Sequence, residues 1–258
     1  IALLSLVRGL DGGIRRLSEF NMGLAATLGL FVLLVGPTME ILSQLPIYAW
    51  SYVEYLPQLS SWVGRTDDYY MHGWTTFYWA WWISWSPFVG MFIARISKGR
   101  TIREFILGVL LVPTGFTFLW LSIFGNSALF IELGAEGGNI SAATLGDMPT
   151  ALFVLLEQLP WTALVSMIAI LLIVTFFVTS SDSGSLVIDT ITSGGNKNAA
   201  IWQRVFWAVS QGIVASVLLV GGGLAALQAA TLSSALPVAF IMVLMCYGLI
   251  KKLKTEGI

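Results

Sequence analysis

The sequence predicts an all-α integral membrane protein. Of its 258 residues, 57% are hydrophobic and only 10% are charged, against about 25% charge in an ordinary soluble domain. The mean hydropathy is +0.83. Several stretches run close to or beyond about 18 residues with almost no charge, the length that crosses a bilayer core. A soluble helical protein would need charged outer faces on those segments, and they lack them. The single Cys246 gives no disulfide framework, and the lone His72 has no companion ligands for a metal. A net charge of −1 does not fit a nucleic-acid binder.

Taken in order, the first residues, IALLSLVRGL, read as the tail of a preceding apolar segment, so the chain is expected to be part of a longer one. Six spans follow, at about 22–41, 74–95, 104–124, 161–181, 202–221 and 232–250. They are expected to be helices, because a spanning strand is about half as long and alternates. Between the first two spans, residues 46–72 form an aromatic, mildly acidic outer loop. Residues 147–160 (DMPTALFVLLEQLP) read as a short amphipathic helix on the outer surface, and both segments are read as interfacial anchors in preference to outer vestibule walls.

Basic residues orient the chain. Arg8, Arg15, Arg16, Arg95, Lys98, Arg100, Arg103, Lys197, Arg204, Lys251, Lys252 and Lys254 fall on one side, and only Arg65 on the other. That bias puts both ends of the stretch in the cytoplasm of a cell whose inner, plasma membrane it crosses six times. Arg95 and Arg100 read as ordinary anchors or as salt-bridge partners that hold an inner gate.

The second span is the unusual one. At 100° per residue, Trp74, Phe77, Tyr78, Trp81, Trp82, Trp85, Phe88 and Phe92 share an arc of about 140°, and only Trp79 points away. An interfacial belt would cluster at one end rather than run the length of the span. Packing between membrane helices favours small residues, not rings. A one-sided stripe of rings fits the wall of a cavity. Ring faces attract cations, Trp most strongly, at about 0.5–2 kcal/mol per contact where water is excluded. A quaternary ammonium group, which cannot donate strong hydrogen bonds, is the ligand such a wall suits. Pro87 also frees the carbonyl of Ile83 beside the rings.

The fourth span ends FFVTSSDSGS (176–185). Phe176, Thr179, Ser180 and Ser183 share one face. Hydroxyl and carbonyl oxygens in a dry pocket suit Na⁺. On the residues alone, however, hydroxyls bonding back to their own helix or to a neighbour is the favoured reading. Asp182 and Asp189 beyond them are best read as paired with a nearby Arg or Lys, or solvated, rather than as a proton relay.

The run Trp81-Trp82-Ile83-Ser84-Trp85-Ser86-Pro87-Phe88-Val89-Gly90 onward to Glu104 resembles the signature of the betaine/choline/carnitine transporter family. GIRRLSEFNM (13–22), VGPT (35–38) and VTSSDSG (178–184) are similar to further family segments. The resemblance implies the second half of a leucine-transporter-like inverted-repeat fold, the six spans matching the seventh to twelfth of twelve helices. It implies a transporter, not an enzyme. Trp81, Trp82 and Trp85 would form the substrate-binding set, with Trp82 and Trp85 on the trimethylammonium group. Phe77, Phe88 and Phe92 would line the pathway and its gates. Phe176, Thr179 and Ser180 would belong to a Na⁺ site, with no cofactor besides that coupling ion. Surrounding lipid and a homotrimer are the further partners implied. The residues supply half a site, so residues 1–258 alone are not expected to transport. A solute-sensing channel and a membrane enzyme acting on choline headgroups rank lower. No nucleophile–base pair lies in the spans for the latter.

Overall fold

The computed structural model describes residues 15–134, 137–196 and 200–256. Arg8, Lys197 and the start of the GIRRLSEFNM segment lie outside the described residues. Every regular element among those described is helical. They are α1 (Arg15–Val35), α2 (Thr38–Ser60), a single turn (Asp68–Tyr70) running into a π-helix (Met71–Thr76), α3 (Phe77–Ile96), α4 (Ile102–Glu132), α5 (Ile140–Gly146), a 3₁₀ turn (Met148–Thr150), α6 (Ala151–Glu157), α7 (Thr162–Thr192) and α8 (Ile201–Glu256).

By length and composition four helices can cross a membrane: α1, α4, α7 and α8. This makes the chain a multi-pass membrane protein. Two of the six expected spans, 202–221 and 232–250, fall within α8, which is broken at Gly222 and Gly223. Gly223 has φ 62° and ψ −156°, a conformation open only to glycine. The expected span 74–95 covers the end of the π-helix and nearly all of α3.

Two expectations need correction. Residues 46–60 are not loop, because α2 runs to Ser60. No glycine interrupts the chain from Thr38 to Ser60; the first is Gly64, with φ 75°. Residues 147–160 do not present their apolar face to a membrane surface. Leu155 and Leu156 of α6 are buried in protein, as members of the apolar cluster that also holds residues of α1, α4 and α7.

The chain divides into two compact units. The first takes residues 15–56 and 99–180. Its core joins Leu28 and Val32 of α1, Ile41 of α2, Ile123 and Phe124 of α4, Leu156 of α6, and Val165 and Ala169 of α7. In α1 the buried positions are Asn21, Ala25, Leu28, Gly29 and Val32, the spacing of a single helix face. Gly29 of α1 sits against the Trp120 ring of α4, 3.6 Å from where a Cβ would be. The VGPT segment is a corner. A Cβ on Gly36 would lie 2.5 Å from the Val32 carbonyl oxygen. Thr38 turns its hydroxyl back to the Leu33 carbonyl at 2.6 Å, satisfying one of the groups left open at the end of α1. At the start of α4, Thr101 and Glu104 form a reciprocal capping box. Glu132 accepts hydrogen bonds from the Ile140 amide at 2.8 Å and from the Ser141 hydroxyl, holding the start of α5 to the end of α4.

The second unit takes residues 57–98 and 181–256. Its main packing is α3 on α8. The end of α7 is tied to the start of α8. Arg204 Nε donates to buried Asp189 Oδ2 at 2.9 Å, and Gln203 and Trp207 both donate to the Thr192 hydroxyl, at 2.9 and 3.0 Å. Asp189 is therefore an ion-pair partner, as its neighbourhood of basic residues suggested.

Candidate substrate and ion sites

The rings of α3 are ordered as a stack along the helix. Trp74 stacks on Tyr78 at 5.8 Å, Phe77 stacks on Trp81 at 6.2 Å, and Tyr78 meets Trp81 edge-on at 5.6 Å. Further along, Trp85 stacks on Phe88 at 5.8 Å. These ring spacings are in the favourable range for aromatic pairs. The regular 100° advance does not hold before Phe77, because Met71–Thr76 is a π-helix with a wider turn. Trp74 still reaches Tyr78 across that turn.

The predicted substrate residues are placed unequally. Trp81 is 43% exposed and Trp82 is 62% exposed. Among the described residues Trp82 stacks on no other ring. Trp85 is half-buried and lies against Gly184, where a Cβ would sit 3.8 Å from its ring and equally far from Gln211. The glycine of the VTSSDSG segment thus lies beside the Trp85 indole. Phe77 and Phe88 are half-buried in the ring stacks. Phe92 instead helps line a separate cavity with Leu186 and Val187 of α7. Trp79, the ring outside the arc, lines a cavity of about 440 Å³ with Thr75, Thr76 and Leu232.

Pro87 does not break α3. Ser86 Oγ donates to the Ile83 carbonyl at 2.9 Å, replacing the hydrogen bond that proline removes. The same oxygen lies 3.0 Å from Met242 Sδ of α8. Ser84 donates to the Trp81 carbonyl at 2.9 Å. The carbonyl that Pro87 frees is therefore satisfied from within the helix.

The predicted ion-site residues belong to the first unit. Thr179 is buried, and its hydroxyl donates toward the carbonyls of Phe176 (2.9 Å) and Thr175 (3.2 Å). It accepts from Asn21 Nδ2 at 3.3 Å. Asn21 is 2% exposed, and its Oδ1 has no hydrogen-bond partner among the described residues. Sequence reasoning passed over Asn21. The available signal was an amide inside an apolar helix, within the GIRRLSEFNM segment. Ser180 is exposed, and the exposed Phe176 ring lines an apolar cavity of about 350 Å³ with Trp120 and Leu172. The structure brings Phe176 and Thr179 into direct contact, and leaves Ser180 on the outer side of the helix.

Neither Arg95 nor Arg100 makes a salt bridge among the described residues. Arg65 does. It forms a two-pronged pair with Asp67, the Nε bond being 2.7 Å, and lies 5.6 Å from the centre of the Tyr70 ring. The guanidinium holds the Asp67 carboxyl below its ordinary pKa.

The family model for betaine/carnitine/choline family transporters matches residues 1–258. A glycine betaine/proline/choline transporter of Vibrio parahaemolyticus is 49% identical over 99% of this chain and 46% of its own length. A second protein of that organism, glycine betaine transporter 1, is also 49% identical, over 99% of this chain and 49% of its own. A glycine betaine transporter of Acinetobacter baylyi is 47% identical over the whole chain and 39% of its own length. The chain thus spans about half the length of the curated relatives it matches.

Proposed function

Because the chain belongs to the betaine/carnitine/choline transporter family, we propose that it is part of a secondary active transporter for a quaternary ammonium solute, glycine betaine or choline. The reading places it in the plasma membrane, with both ends of the stretch cytoplasmic and six crossings, in a leucine-transporter-like inverted-repeat arrangement. Trp81, Trp82 and Trp85 bind the cationic head through their ring faces. Phe77, Phe88 and Phe92 line the route to and from it. Phe176, Thr179 and Ser180 contribute to a Na⁺ site, and the Na⁺ gradient drives uptake by alternating access. The observation that carries the substrate class is the ring stack of α3, exposed at Trp81 and Trp82, in a chain about half identical to proteins named as glycine betaine transporters. A homotrimer in lipid is the assembly this reading expects.

Labelled glycine betaine uptake, measured for the complete gene in a strain lacking such systems, tests both halves of the reading. Accumulation that collapses without a Na⁺ gradient supports the cage and the hydroxyl site together. No accumulation of betaine or choline removes the substrate class. One observation favours a second reading, proton coupling or exchange. The Thr179 hydroxyl is already engaged by its own helix and by Asn21, as a packing residue would be. Accumulation indifferent to Na⁺ selects that reading.

A further inference from the structure

A cavity of about 500 Å³ lies at the C-terminal end of α3, within the second unit. Its apolar wall is made by Phe92 of α3 with Leu186 and Val187 of α7, the last two buried. Its polar members are Arg95, Lys98 and Thr190. Among the described residues neither cation has an ion-pair partner. Arg95 is half-buried, so its charge is partly withdrawn from water without a carboxylate to offset it. The Thr190 hydroxyl donates to the Leu186 carbonyl at 2.8 Å, which leaves its oxygen able to accept.

We propose that this cavity is a binding site for an anionic phospholipid. The phosphate lies between Arg95 and Lys98, and the first carbons of an acyl chain run along Phe92, Leu186 and Val187. Three features of the cavity select this occupant. Two unpaired cations repel a quaternary ammonium solute, so the cavity is not a second copy of the ring site. A free inorganic anion would leave the apolar wall in contact with water. A zwitterionic lipid carries its own cation, which cancels much of the attraction. A hydroxyl-bearing headgroup such as phosphatidylglycerol also offers a donor to Thr190. Basic pockets among membrane helices are a known setting for anionic headgroups.

The test is native mass spectrometry of the full-length protein in detergent, with equal amounts of palmitoyl-oleoyl phosphatidylglycerol and phosphatidylcholine. The wild type should retain phosphatidylglycerol with a preference of roughly tenfold or more, as two basic contacts supply. Arg95→Gln combined with Lys98→Gln should bring the ratio near parity, whereas Arg103→Gln, outside the cavity, should leave it unchanged. Val187→Trp, which fills the cavity and keeps both charges, should lower retention of phosphatidylglycerol. An unaltered preference in the double variant overturns the proposal. So does displacement of the lipid by millimolar inorganic phosphate, which marks a free-anion site, or by glycine betaine, which makes the cavity part of the transport route. Should the double variant lose its melting transition, Val187→Trp decides: undiminished retention overturns the lipid site.

Discussion

The core of the first unit and the ring helix α3 use apolar surface in opposite ways. In the core, Val32, Ile41, Leu156 and Ala169 are all 0% exposed. Along α3 no residue is fully buried, although the helix carries more aromatic surface than any other. One region is a finished interior, where large and small side chains fill each other's gaps. The other is a wall, whose rings touch one another along the helix and leave their outer faces open. A change in the first should therefore register as lost stability. A change in the second should register as lost binding with little loss of stability.

The largest effect tests the interior. Leu156→Ala should cost about 2–5 kcal/mol, from lost transfer energy and the cavity left behind, read as a lowered melting temperature of the purified protein. Arg204→Gln should cost a comparable amount, about 3 kcal/mol, because it leaves the Asp189 carboxylate buried without its cation. Replacing both residues of the pair by leucine should recover most of that loss, and failure to recover would show that Arg204 has a role beyond the pair.

Trp82→Leu should sharpen the contrast from the other side. Its ring is mostly open, so the melting temperature should barely move, while betaine affinity in uptake assays falls by roughly 2- to 30-fold, the equivalent of one cation–π contact. Unchanged affinity would take Trp82 out of the site. Ser86→Ala should fall between the two classes. It leaves the Ile83 carbonyl without the bond that compensates Pro87, a loss of about 1–3 kcal/mol if the carbonyl stays dry.

The smallest effect concerns pH. Arg65 depresses the Asp67 pKa, so the pair stabilises the folded state above the ordinary carboxylate pKa. The contribution is lost as pH falls through the depressed folded value. The pair is exposed, so the effect should be slight and salt-sensitive. Asp67→Asn should flatten the acid limb of the melting-temperature profile, and an unchanged limb would assign that limb to other carboxylates.

The membrane class was legible from composition, because a helix that faces lipid needs an apolar surface all round. The ring stripe was legible from helical spacing, and the family from the run around Trp81 to Glu104. The loop between the first two spans was misjudged because aromatic and acidic residues mark an interface as readily as a helix. The α6 segment was misjudged because an apolar face looks the same whether lipid or protein covers it. Only the packed arrangement shows that Leu156 belongs to the core of the first unit.

By itself the sequence determined the helical periodicities, the one-sided ring stripe on α3 and the charge sorting. These follow from local sterics and from the cost of placing charge or an unpaired backbone group in hydrocarbon. The tertiary structure alone decided which polar atoms meet. It brought Asn21 to Thr179 across 158 positions, Arg204 to Asp189, Gly184 to the Trp85 ring, and Arg95 and Lys98 to an apolar cavity wall. Such pairings depend on how whole helices lie against each other, and periodicity within a single helix carries no information about its neighbour's register.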